Sequence, residues 1–209
     1  MGRTIRVGSH LVTLHLENAG LFSRRLAILV SSIKFNTSLR ELYLGENKIC
    51  SADCVQLGNL LRGNGFLNVL DLRSNFIQDI GLDHICEGLA HQPSSSSLFD
   101  IFGHENKHPL SQNAGILILN LSDNQLSSRA MSRLAQTLVS CFSWYISRYN
   151  LFSSQSQCRS LIGLDLSNNA LGDDGVIILK EGLQQCKTLK YLNLSNTSIT
   201  SEGEYLRFD

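Results

Sequence analysis

Apolar and polar residues recur along this chain in one template, L-x-x-L-x-L-x-x-N-x-L, which can be laid on it six times. The first copy uses Leu11, Leu14, Leu16, Ala19 and Leu21, and the second Leu39, Leu42, Leu44, Asn47 and Ile49. The third uses Leu67, Leu70, Leu72, Asn75 and Ile77, and the fourth Ile116, Leu119, Leu121, Asn124 and Leu126. The fifth uses Leu161, Leu164, Leu166, Asn169 and Leu171, and the sixth Leu189, Leu192, Leu194, Thr197 and Ile199. The L-x-L alternation predicts a short strand with leucines on one side and the x residues on the other. The template Asn falls at the strand end, where its amide can satisfy backbone groups of the turn. Further on, each complete unit carries an apolar pair spaced by four: Leu29/Ile33, Leu57/Leu61, Ile85/Leu89, Leu134/Leu138 and Leu179/Leu183. That spacing puts both members on one helix face. Ser23, Ser51, Asp79, Ser127 or Ser128, and Asp173 stand where a helix N-cap is expected.

This is the leucine-rich-repeat signature, and it predicts an α/β solenoid. Parallel strands stack about 4.8 Å apart, whereas helices need about 8–10 Å. A stack that is thin on the strand side and thick on the helix side must curve, so the expectation is a right-handed β/α horseshoe. Its six strands should start near residues 12, 40, 68, 117, 162 and 190. No unit can bury its leucines alone, so neighbouring units hold each other up.

The spacing is 28 residues between the starts at 11, 39 and 67, and again between 161 and 189. It widens to 49 and 45 around the start at 116, which leaves surplus segments at about 92–114 and 141–158. Both are expected to leave the stack as loops between a helix and the next strand. The first contains Pro93 and Pro109; the second holds Trp144 among several other aromatic residues. The reading for domains is one leucine-rich-repeat domain over 1–209, a slice of a longer array.

Composition narrows the function. Eighteen basic and 18 acidic residues give a formal net charge of zero, which argues against a nucleic-acid grip through a basic face. A hydrophobic fraction of 43% argues against wholesale disorder. No stretch approaches the ~20 apolar residues of a membrane span, and the first ten residues lack the apolar region of a secretory signal. The expectation is an intracellular protein, cytoplasmic or nuclear. Its six cysteines, Cys50, Cys54, Cys86, Cys141, Cys158 and Cys186, are then reduced thiols.

The stretches LHLENAGL, LRELYLGENKI, QLGNLLRGN and LDLRSNFIQDIGLDHICEGL go beyond the generic template. They resemble the protein phosphatase 1 regulatory subunit 37 family, whose repeats are of the ribonuclease-inhibitor type. LNLSDNQLSSRAM, NNALGDDGVIILKEGL and LSNTSITSEG continue the same order. The resemblance implies a non-enzymatic protein that binds and inhibits the phosphatase 1 catalytic subunit. It also implies a short docking segment, basic–Val/Ile–x–Phe/Trp. The nearest match, Ser32-Ile33-Lys34-Phe35, lacks the basic residue and commits Ile33 to the core, and Arg6-Val7 has Ser9 where an aromatic is needed. The alternative is a ribonuclease-inhibitor-like scaffold or sensor domain serving another protein partner.

Candidate chemistry is sparse. His104-Glu105-Asn106-Lys107-His108 spells H-E-x-x-H, but Gly103 and Pro109 bracket it and no helical period holds its ligands on one face. Cys50 and Cys54 lack two further ligands nearby and read as small fillers under a helix. Asp71 and Asp165 lie on strands of different repeats and are expected to face solvent. No catalytic residue, cofactor or metal is expected. The open, concave sheet face is the candidate partner-binding surface. Its exposed positions are His15, Glu17, Glu41, Tyr43, Glu46, Asp71, Arg73, Asn120, Asp123, Asp165, Lys190 and Tyr191. Acids outnumber bases there, and the two tyrosines suit a protein partner.

Overall fold

The computed structural model describes residues 10–93, 115–139 and 160–200. Six three-residue strands, β1 (Thr13–His15), β2 (Glu41–Tyr43), β3 (Val69–Asp71), β4 (Ile118–Asn120), β5 (Gly163–Asp165) and β6 (Tyr191–Asn193), form one parallel sheet in sequence order. Between them lie α1 (Arg24–Ile33), α2 (Cys54–Gly63), α3 (Gln78–Ala90), α4 (Ser128–Leu138) and α5 (Gly172–Gln185). Each strand begins one residue after the expected position. The register pairs equivalent template positions throughout: Leu14, Leu42, Leu70, Leu119, Leu164 and Leu192 run in one row across the sheet. The 21 and 17 surplus residues therefore leave the register intact. Most of both surplus segments, with the HENKH motif and Trp144, lies outside the described residues.

The leucine rows form one continuous core between sheet and helices. Of the expected helix pairs, nine of ten side chains are buried; Leu183 is partly buried. The template asparagines do the work foreseen for them, and they act between repeats. Asn75 Oδ1 accepts from Asn47 N and Ile49 N, both at 3.0 Å, while its Nδ2 donates to Leu44 O, Leu72 O and Arg73 O. Asn47 and Asn169 make the same pattern toward their preceding repeats. Each side chain thus satisfies buried backbone groups of its own turn and of the turn before it.

The helix starts need correction. Among the described residues, Ser127 alone acts as a side-chain N-cap, accepting from Arg129 N at 3.3 Å. Ser23 occupies the N-cap position without a cap hydrogen bond. Helix α2 starts at Cys54, three residues beyond Ser51, and Asp79 and Asp173 lie inside the first turns of α3 and α5. These aspartates tie repeats together. Asp79 accepts from Ser127 N (2.8 Å) and Oγ (2.6 Å), and Asp173 accepts from Thr200 N (2.8 Å) and Oγ1 (2.6 Å). Asp53, just before α2, accepts from Ser23 N at 2.8 Å. A carboxylate at a helix start is favoured by the helix dipole and has lone pairs to spare for a neighbour.

The cysteines divide. Cys54 and Cys86 are fully buried, as fillers should be, whereas Cys50 is exposed, so the filler reading fails for it. Burial, then the charge of Asp53 and the neighbouring Cys50, pushes the Cys54 thiol up to about 12. Only about one molecule in 10⁴ would carry that thiolate at pH 8, and the thiolate is the reactive form. In the folded protein iodoacetamide should therefore modify Cys50 and spare Cys54, as read by mass spectrometry of the two sites. Equal modification would mean that the start of α2 opens readily.

Candidate functional site

The x positions of the strands lie on the sheet face opposite the helices, and the first three strands join theirs into one polar cluster. Glu41 Oε2 accepts from Thr13 Oγ1 at 3.1 Å and from the Tyr43 hydroxyl at 3.2 Å. The His15 and Tyr43 rings stack at 4.3 Å with 7° between their planes. His15 Nδ1 stands 3.3 Å from Glu17 Oε1. Arg73 lies 3.6 Å from Glu17 and pairs closely with Asp71. Six of the sequence-derived positions, His15, Glu17, Glu41, Tyr43, Asp71 and Arg73, are thereby brought together.

Electrostatics follow from that crowding. Burial, followed by the carboxylates of Glu41, Asp71 and Glu17, raises the Tyr43 hydroxyl, which keeps it a phenol that donates to Glu41. Burial works against the Glu17 carboxylate, but its own backbone, His15 and Arg73 outweigh this and hold it below the usual value. A lowered carboxylate contributes stability above its unfolded value and loses it as pH falls. The His15–Glu17–Arg73 contacts should accordingly loosen toward acid pH.

Asp71 departs from its expectation. It is 4% exposed, not solvent-facing, because it accepts from Arg73 N at 2.9 Å and is covered by the Arg73 side chain. The equivalent positions in later repeats repeat the turn lock. Asn120 Oδ1 accepts from Ser122 N and Oγ, and Asp165 Oδ1 accepts from Ser167 N (2.9 Å) and Oγ (2.7 Å). Asp165 is half-buried. Asn120, Asp165 and Asp71 therefore fix the strand ends. Glu46 and Asp123 sit in the following turn with φ of 59° and 53°, at a position that is left-handed in all six repeats. Asp is enriched in that conformation, which suits Asp123; Glu46 has no such advantage.

Lys190 and Tyr191 lie at the far end of the sheet, four strands from β2 and so about 19 Å from Tyr43. Tyr191 is 72% exposed. The polar reading of this face missed its apolar members, Val69 and Ile118, and the buried Gly163 between Ile118 and Tyr191. Their signal was available, since all occupy the third position of the template. Among the described residues no group of three or more His, Cys, Asp or Glu is arranged to hold a metal ion. No helix among them is long and apolar enough to cross a membrane.

Residues 63–86, 157–179 and 185–203 match the Leucine Rich repeat family. The chain is 33% identical over 129 residues to protein phosphatase 1 regulatory subunit 37 homolog of Caenorhabditis elegans, covering 62% of this chain and 12% of that one. It is 36% identical over 139 residues to protein phosphatase 1 regulatory subunit 37 of Bos taurus, covering 66% and 17%. With ribonuclease inhibitor of Sus scrofa it shares 30% over 225 residues, covering 84% and 49%. The chain thus spans less than half the length of each of these relatives. Six parallel strands in sequence order, the asparagine-bridged turns and these matches lead to one conclusion: the chain is a leucine-rich-repeat protein of the ribonuclease-inhibitor type, and it resembles protein phosphatase 1 regulatory subunit 37.

Proposed function

We propose that this chain is a non-enzymatic protein-interaction module that binds its partner on the open sheet face, with the phosphatase 1 catalytic subunit as that partner. The carrying observation is the cross-strand cluster of Glu41, Tyr43, His15, Glu17 and Arg73 on that face, with Asp71 buried beneath Arg73. It is already ordered before a partner arrives, so little side-chain entropy remains to be lost on binding. Its stacked aromatic pair and its arginine are residue types that dominate binding energy in protein interfaces. The names of the relatives supply the phosphatase.

Ile33 is 1% exposed and Phe35 is 70% exposed, so Ser32–Phe35 cannot present its aliphatic residue as a docking segment. A docking peptide raises the effective concentration of the folded surface, and without one the affinity should fall by about 10²-fold or more. Binding to purified catalytic subunit is therefore expected to be weak and to depend on the cluster. A Tyr43→Ala/Arg73→Glu variant should lose at least ~10-fold of it, since two hot-spot residue types are removed, while Phe35→Ala should change nothing. Tight binding untouched by the double variant would place the interaction elsewhere. A scaffold serving a different protein remains the second reading, favoured by the 84% coverage of this chain in the match to ribonuclease inhibitor.

A further inference from the structure

We infer that the rim where the helices lead back into the strands carries a carboxylate-recognition site, at which Arg40 grips an Asp or Glu side chain of a protein partner through two parallel hydrogen bonds. This surface lies beside the sheet-face cluster and is separate from it.

Arg40 stands immediately before β2, at the end of the 34–40 connection from α1. Its guanidinium carbon lies 5.5 Å from the centre of the Phe66 ring, which belongs to the next connection. Its Nη1 donates to Thr37 O at 2.8 Å and to Leu39 O at 3.2 Å. The ring and the two carbonyls hold the group in place, so less side-chain freedom remains to be lost on binding. They also use both hydrogens of Nη1. The remaining edge presents Nε–H and one Nη2–H side by side, at the spacing of the two oxygens of a carboxylate. Among the described residues nothing accepts from that edge, and no carboxylate pairs with Arg40.

The surroundings explain the missing pair. Glu41 is next in sequence, but strand alternation turns it to the sheet face, where Thr13 and Tyr43 donate to it. The three completely described helix-to-strand connections, 34–40, 64–68 and 186–190, contain Lys34, Arg40, Lys187 and Lys190 and no Asp or Glu. These connections are thus positive on a chain whose net charge is zero. Arg40 is half-buried, and burial lowers its pKa with no neighbouring carboxylate to counter it. Such a cation has already given up part of its water, so an incoming carboxylate has less left to displace. Val12, 51% exposed, flanks it from the first repeat, its carbonyl accepting from Arg40 N at 2.7 Å. Val12 and Phe66 favour an apolar residue next to the acid. One fork balances the single charge of a carboxylate, whereas a phosphate carries nearly two.

The test selects phage-displayed random decapeptides on the folded 209-residue chain and measures the enriched peptides as synthetic probes. The expected class carries Asp or Glu beside an apolar residue. Its members should bind Arg40→Met at least about tenfold more weakly than wild type. Arg40→Lys, which keeps the charge and loses the fork, should weaken them severalfold. Exchanging the probe's carboxylate for an amide should cost as much on the wild type and almost nothing further on Arg40→Met. The first of these comparisons needs no protein variant, so it holds even where a variant unfolds. Recovery of no acidic class, or indifference of its members to the amide exchange, would overturn the proposal. So would equal binding to wild type and Arg40→Met at matched unfolding midpoints. A phosphoserine probe that binds more than about tenfold tighter than the acidic one would replace the carboxylate by a phosphopeptide. The Tyr43→Ala/Arg73→Glu variant should bind the acidic probes as the wild type does; a loss there would move them to the sheet face and defeat the rim site.

Discussion

Replacing Asn75 by leucine is expected to destabilise the chain by about 4 kcal/mol. Asn75 is 2% exposed and sits between the second and third repeats. Leucine fills a similar volume but makes none of the five hydrogen bonds of the amide. The backbone N–H groups of Asn47 and Ile49 would be left buried without an acceptor, at about 1–3 kcal/mol each, and three carbonyls would lose a donor. Domains of this kind hold only about 5–15 kcal/mol in total. In a stack of near-neighbour couplings, a break in the middle also uncouples the units on either side. Urea unfolding should therefore show a lower midpoint and a broader transition. Gln136→Ala, on the exposed side of α4, should shift stability by less than about 0.5 kcal/mol. A small effect of Asn75→Leu would mean that the asparagine ladder is not what joins the repeats.

The second large effect is expected at a helix–helix contact. Gly88 in α3 approaches α2 so closely that an added Cβ would lie 2.7 Å from both Gly58 Cα and Gly58 O, and 3.0 Å from Leu61 Cβ. Alanine normally gains about 1 kcal/mol over glycine inside a helix. Here the clash is with backbone, which cannot rotate away, so α2 and α3 must move apart. Gly88→Ala should cost about 2 kcal/mol despite the helix gain. Gly63 supplies the contrast. The three atoms nearest to its added Cβ all belong to the flexible Lys34 side chain, which can swing aside, so Gly63→Ala should be neutral or stabilising. Thermal unfolding of the pair decides the point, and equal shifts would show that the close α2–α3 packing is incidental.

The repeat architecture was legible in the sequence because its cause is periodic. Leucines at fixed template positions must share one row, and Leu14, Leu42, Leu70, Leu119, Leu164 and Leu192 do so across two long interruptions. The turn asparagines were legible for the same reason. The helix starts were not, because Asp79 and Asp173 carry the residue type of a cap while serving a neighbouring repeat. Their partners lie 48 and 27 residues away, beyond any local pattern. The candidate surface was half legible. Alternation placed its residues on one face, yet could not show that Arg73 folds over Asp71 and buries it. Attention to polar residues also hid the exposed Ile118 and the buried Gly163 beside it.

The most direct test of the open face as the interaction surface is a charge-reversal scan read by titration calorimetry with the phosphatase 1 catalytic subunit. One set reverses charges on the sheet face: Glu41→Lys, Arg73→Glu and Lys190→Glu. The other reverses exposed charges on the helices: Asp83→Lys, Arg133→Glu and Glu181→Lys. The account requires losses of at least about tenfold confined to the sheet set, with the helix set within about twofold of wild type. Losses confined to the helix set would contradict it and move the interaction to the opposite side of the solenoid.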